Sequence, residues 1–166
     1  MNATHRGRVE ALLAQAAAEH ASLVARLPAD LQTSLPVDAQ GVTRAIDHIA
    51  QAAGLSAGER RALIRPHAIN PAVLHARVFG QAPLTRETVI GSFVEGARVR
   101  ADALATLADM VGGEPLGAEV RQLLVEHPPP LSGAAGSQAV PALRATYAAQ
   151  EQAAVLIAAS LDRDQP

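Results

Sequence analysis

Residues 85–112, TRETVIGSFVEGARVRADALATLADMVG, decide how the chain is read. Ile90, Phe93, Val94, Ala97, Ala101, Leu104, Ala108 and Val111 recur at threes and fours, the spacing of one helical face. Glu95, Arg98, Asp102 and Asp109 fall opposite, and Val99, Ala103 and Met110 add a weaker second apolar strip. A helix apolar on more than one side is usually surrounded by others. Thr85 suits an N-cap, and Gly112-Gly113 supplies the left-handed residue that ends helices. The stretch therefore predicts a central helix at 85–112 in an all-α fold.

Working outward, Val9, Leu12, Leu13, Ala16, His20, Leu23, Val24 and Leu27 make the stripe of a first helix, with Thr4 as its cap. Pro28 can start a short turn through Leu31, and Leu35-Pro36 breaks the pattern. Asp38 to Gly54 forms the cleanest amphipathic helix, with Val42, Ile46, Ile49, Ala50 and Ala53 on one face and Arg44, Asp47, His48 and Gln51 on the other. Ser56 and Glu59 match a capping box for a short helix that Pro66 stops. Asn70-Pro71 opens a further helix ending at Gly80. Beyond the central helix, Glu114-Pro115 starts another, which carries Val120, Leu123 and Leu124 inward and halts at Pro128-Pro129-Pro130. The Pro, Gly and Ser content of 128–137 predicts a loop. Leu143, Tyr147, Ala154, Ile157 and Leu161 define a last helix, and the tail 162–166 is expected to fray. The expectation is one domain over residues 1–166, a bundle of six or seven helices around the central one.

Composition narrows the chemistry. Hydrophobic residues are 49% of 166, a globular proportion, yet aromatics are only Phe79, Phe93 and Tyr147. Stability must then come from many close contacts between small side chains. Cysteine is absent, which excludes disulfides and thiolate chemistry. Lysine is absent too, which excludes Schiff-base and P-loop lysines. No apolar run reaches spanning length and no leader opens the chain, so the expectation is a cytoplasmic protein without a membrane role. Charge is uneven. Residues 43–86 hold six arginines against Asp47 and Glu59, a surplus of four, which leaves −6 for the rest of a chain of net charge −2.

That surplus directs the search for a site. Arg44, His48, Arg60, Arg61, Arg65, His67, His75 and Arg77 form an Arg/His-rich set suited to an anion, since guanidinium forks match carboxylate and phosphate. Arg100, at the flank of the central apolar face, is expected to snorkel or to pair with Glu87, Glu114 or Glu119; its sharper reading is an anion site between helices. Metal chemistry has no support: neither Glu-x-x-His nor His-Glu-x-x-His occurs. No cofactor is implied. Asp47 and His48 point about 100° apart on a helix and make poor catalytic partners. The turn Ala53-Gly-Leu-Ser56 is similar to those of many helical regulators and of some cysteine-dependent peroxidases, whose redox cysteines are missing here.

The leading expectation is a non-catalytic helical binding domain whose Arg/His face engages an acidic protein surface or an acidic small molecule, with dimerisation open through alanine-rich faces. A small enzyme or ligand-sequestering protein with an inter-helix pocket is the first alternative. A helix-turn-helix regulator built on Ile46–Arg65 is the second. There, Arg60 occupies a place where such units want a core aliphatic residue, and the chain as a whole is acidic.

Overall fold

The computed structural model describes residues 4–26, 40–64, 86–130 and 139–163. Its elements are α1 (His5–Ala25), α2 (Gln40–Ala52), α3 (Ala57–Ile64), α4 (Arg86–Glu126) and α5 (Ala139–Arg163). The fold is all-α, as the periodicity predicts, but with five helices among the described residues rather than six or seven. The turn expected at 28–31 and the helix expected at 71–80 lie outside the described residues. The helices expected on either side of Gly113 both form and follow one another without a gap; they are labelled together as α4, whose backbone leaves helical geometry at that glycine (φ 71°, ψ −165°).

Local chemistry sets these boundaries. The Gly7 N–H donates to Thr4 Oγ1 at 3.0 Å, so Thr4 caps α1. The α2 helix ends in a Schellman arrangement: Leu55 N–H reaches Ala50 O and Gly54 N–H reaches Gln51 O, both at 3.0 Å, with Gly54 at φ 92°. The capping box of α3 is formed, with Ser56 N–H donating to Glu59 Oε2 at 2.8 Å and Glu59 N–H to Ser56 Oγ at 3.2 Å.

The core does not centre on residues 85–112. Helix α2 packs against each of the other four described helices. Its Val42, Ala45, Ile46, Ile49 and Ala50 are buried together with Val9 of α1, Leu104, Leu107 and Ala108 of α4, and Ala154, Ile157 and Ala158 of α5. Helix α4, like α2, is buried on one side only, and it meets fewer of the other helices. Asp102, Asp109 and Met110 are exposed, Met110 to 54%. The second apolar strip is too thin to demand neighbours all round: Ala103 is buried, Val99 half-buried and Met110 in solvent. A smaller cluster, Val94, Ala97, Leu143 and Tyr147, joins the beginnings of α4 and α5, so residues 86–112 and α5 run side by side in the same direction.

At Gly113 the chain turns sharply. Arg121 grips Asp109 with two parallel hydrogen bonds, one of 2.9 Å. Twelve residues of unbroken helix would hold them about 18 Å apart. The turn brings residues 114–126 back so that Leu116 and Val120 join the main core. Gly113 occupies backbone space open essentially to glycine alone. Gly113→Ala should therefore cost about 1–3 kcal/mol in urea denaturation. An unchanged midpoint would show that the bend tolerates a side chain.

Candidate functional site

The expected Arg/His set divides. Arg44 reaches across to α1, its Nη2 2.9 Å from Glu19 Oε2, and that contact holds the Glu19 carboxyl below its ordinary value. Arg60 turns back on its own corner, with Nε 3.0 Å from Asp47 Oδ1 and Nη1 3.0 Å from the Leu55 carbonyl. Arg61 is exposed on α3. Arg65, His67, His75 and Arg77 lie outside the described residues. Asp47 and His48 do point apart, Asp47 toward α3 and His48 toward α1.

Two polar assemblies stand out among the described residues. The first joins three helices at one end of the bundle. His48 Nε2 lies 3.1 Å from His5 Nδ1, and the ring centroids are 5.2 Å apart at 48°. Beside them, Asp162 near the end of α5 accepts the His5 N–H at 2.7 Å and the Arg6 N–H at 3.0 Å. These are orphan donors of a helix N-terminus, where a negative charge is favoured. The tail expected to fray at 162 is therefore held at its first residue, because Asp162 completes the cap that Thr4 begins. Residues 164–166 lie outside the described residues. Burial disfavours a proton on the His48 ring, and His5 and Arg8 act in the same sense, against Asp47 and Asp162; the ring titrates below its ordinary value. Desolvation alone would raise Asp162, but the Arg6 and His5 backbone donors outweigh it and lower the carboxyl.

The second assembly lies between α4 and α5. Arg100 is only 4% exposed, so it does not snorkel; its guanidinium carbon stands 5.5 Å from the centre of the Tyr147 ring. Fully buried Gln150 donates from Nε2 to the Ala97 carbonyl at 2.8 Å, and its Oε1 has no hydrogen-bond partner among the described residues. Thr146 Oγ1 lies 3.0 Å from the carbonyls of both Pro128 and Ala142, pinning the segment after α4 onto α5.

A third feature is apolar. Ala53, Gly54, Leu55, Glu59, Ala62, Leu63 and Met110 line an open groove of about 500 Å³ where α2, α3 and α4 meet. Helix α3, which forms one wall, has no buried residue.

Sequence reasoning did not find His5, Asp162 or Gln150. Each is a single polar residue whose partner lies 43, 156–157 or 53 positions away, and spacing rules see only near neighbours. No group of three His, Asp or Glu among the described residues is arranged to hold a metal ion, and no described helix is long and apolar enough to cross a membrane. No family model, curated protein or solved structure matches the chain.

The Asp162 cap has a measurable sign. A carboxyl with a lowered folded value contributes stability that is present above its unfolded value and lost as pH falls through the folded one. Asp162→Asn should cost about 0.3–1 kcal/mol near neutrality, the usual worth of a negative charge at a helix N-terminus. The difference from the parent should close in strong acid. A gap of constant size down to pH 2 would mean that the charge is irrelevant.

Proposed function

We propose that the chain is a non-catalytic binding domain that docks an acidic, amphipathic protein segment at the α2–α3 corner. The observation that supports this reading is α3 itself: an eight-residue helix with no buried residue, beside an apolar groove in which Met110 is half in solvent. Short helices gain little from propensity alone and depend on packing. Here exposed Ala62 and Met110, with half-buried Leu63 between them, offer a partner the apolar surface the fold leaves open. Arg61 stands exposed on the same helix, and the sequence around it carries the surplus of four positive charges. An acidic partner suits that field. The open, shallow form of the groove favours a protein segment over an enclosed small molecule.

A helix-turn-helix reading draws support from the same corner, since Gly54 has a positive φ and α3 is exposed. The engagement of Arg60 by Asp47 and the net charge of −2 weaken it. Under the favoured reading, a gel shift with pooled duplex DNA at low salt shows no band.

The direct test is titration with two synthetic helical peptides of equal apolar face, one carrying glutamates and one lysines, followed by amide shifts. The glutamate peptide should perturb residues 53–63 and 110, more weakly at high salt. Arg61→Ala should lower its affinity about two- to five-fold, as for an exposed ion pair. Equal perturbation by both peptides, or by neither, would overturn the proposal.

A further inference from the structure

We infer that α3 is a hinged flap on the apolar groove, held shut by the Arg60 clamp, a step that rests on the groove being a docking site and adds how that site opens. Of the seven residues that line the groove, Glu59, Ala62 and Leu63 belong to α3. The position of this one helix therefore sets the width of the groove. An α-helix with its side chains is about 10–12 Å across, and an open groove of about 500 Å³ takes only one edge of it. Swinging α3 aside uncovers the core surface on which its Leu63 and Ile64 pack, and a docked helix can then reach it.

Little fastens α3 to the bundle. Eight residues are too few for a helix to persist on its own, and Gly58 within it lowers its intrinsic stability further. None of its residues is buried; Leu63 and Ile64 are half-buried where they pack on the main core. The Ser56–Glu59 capping box is internal to the flap, so it travels with α3 and ties it to nothing else. Among the described residues, Arg60 alone carries a side-chain hydrogen bond from α3 to another helix, from Nε to Asp47 Oδ1 on α2 at 3.0 Å.

The hydrogen bonds place the hinge between Leu55 and Ser56. On one side, Leu55 N–H is bonded back to Ala50 O at the end of α2. On the other, Ser56 N–H is bonded forward to Glu59 and Ser56 O accepts from Arg60 N–H. Two bonded units thus meet at one link, where element-terminal residues can absorb a change of φ and ψ. Both described hydrogen bonds that cross the link come from the Arg60 side chain, one to Asp47 and one to the Leu55 carbonyl. The clamp is weak, because its two side chains are 22% and 52% exposed. Ion pairs so exposed are worth little and are screened by salt. One guanidinium therefore decides how often the flap is open.

The experiment pairs Asp47→Asn with Arg60→Met, which both break the clamp while one raises and the other lowers the net charge. Amide hydrogen exchange is read on the full chain. In the parent, residues 61–64 should exchange at least about ten-fold faster than the buried part of α2. In both variants the same amides should exchange about two- to five-fold faster again, with α2 and α5 unchanged. Docking is read with an uncharged helical peptide of the same apolar face, glutamine replacing its charged residues. Both variants should bind it about two- to five-fold tighter, as the open fraction rises. Unchanged exchange in either variant, or parent α3 amides as slow as those of α2, overturns the flap. Faster exchange with weaker or unchanged binding overturns it too, since α3 is then a fixed wall. Faster exchange with no charged or uncharged peptide bound by any form upholds the flap and overturns the docking reading instead. Should the variants not fold, the parent decides: about 0.5 M NaCl should speed exchange over residues 61–64 about two-fold relative to α5, and no change overturns the clamp.

Discussion

The burial of one face of α2 is the constraint on which the structure depends. Val42, Ala45, Ile46, Ile49 and Ala50 are each 1% exposed or less, and the helix meets all four of the other described helices. In a chain with three aromatic residues, Tyr147 anchors the smaller cluster but no aromatic side chain belongs to the main core among the described residues. Close approach of small and branched side chains organises that core, and each lost methylene group is felt. The polar face of the same helix then distributes its residues outward: Arg44 and His48 to α1, Asp47 to α3. One thirteen-residue helix thus sets both the core and the polar contacts to α1 and α3.

What could be read in the sequence were the features that one or two turns of chain contain. Thr4, the Ser56–Glu59 box, the glycine ending α2 and the break at Gly113 all act through neighbours within about five residues, and each appears where its motif stands. The all-α class follows from periodicity alone. The choice of central helix was not legible, because periodicity reports that a face is apolar and not how many partners cover it. The 85–112 stretch has the longer stripe, yet Met110 lies in solvent while the shorter α2 meets all four of the other described helices. The same limit hid the His5–His48–Asp162 corner, which joins two ends of the chain. It also made the basic segment look freer than it is: a local charge sum includes Arg44 but not Glu19, 25 positions away.

Two neighbouring corners of the bundle are chemically distinct. The corner of α1, α2 and α5 is polar, built from imidazoles and a carboxylate committed to backbone donors. The corner of α2, α3 and α4 is apolar and open. Asp47 and His48 are consecutive on α2, so the Arg60 clamp that steadies α3 and the imidazole contact that steadies α1 share one turn of helix. The open apolar groove and the imidazole contact are therefore adjacent on α2. Between α4 and α5, the buried Arg100, Tyr147 and Gln150 form a polar layer in an otherwise apolar interface.

The claim that α2 organises the fold is tested most directly by Ile49→Ala, read by urea denaturation together with hydrogen exchange across all the helices. Truncating a fully buried isoleucine should cost about 2–5 kcal/mol. If α2 is the common support, protection in α1, α4 and α5 should fall together by the same free energy. Loss confined to α1, α2 and α3, with the α4–α5 pair keeping its full protection, would contradict that account and place the organising contact between those two long helices instead.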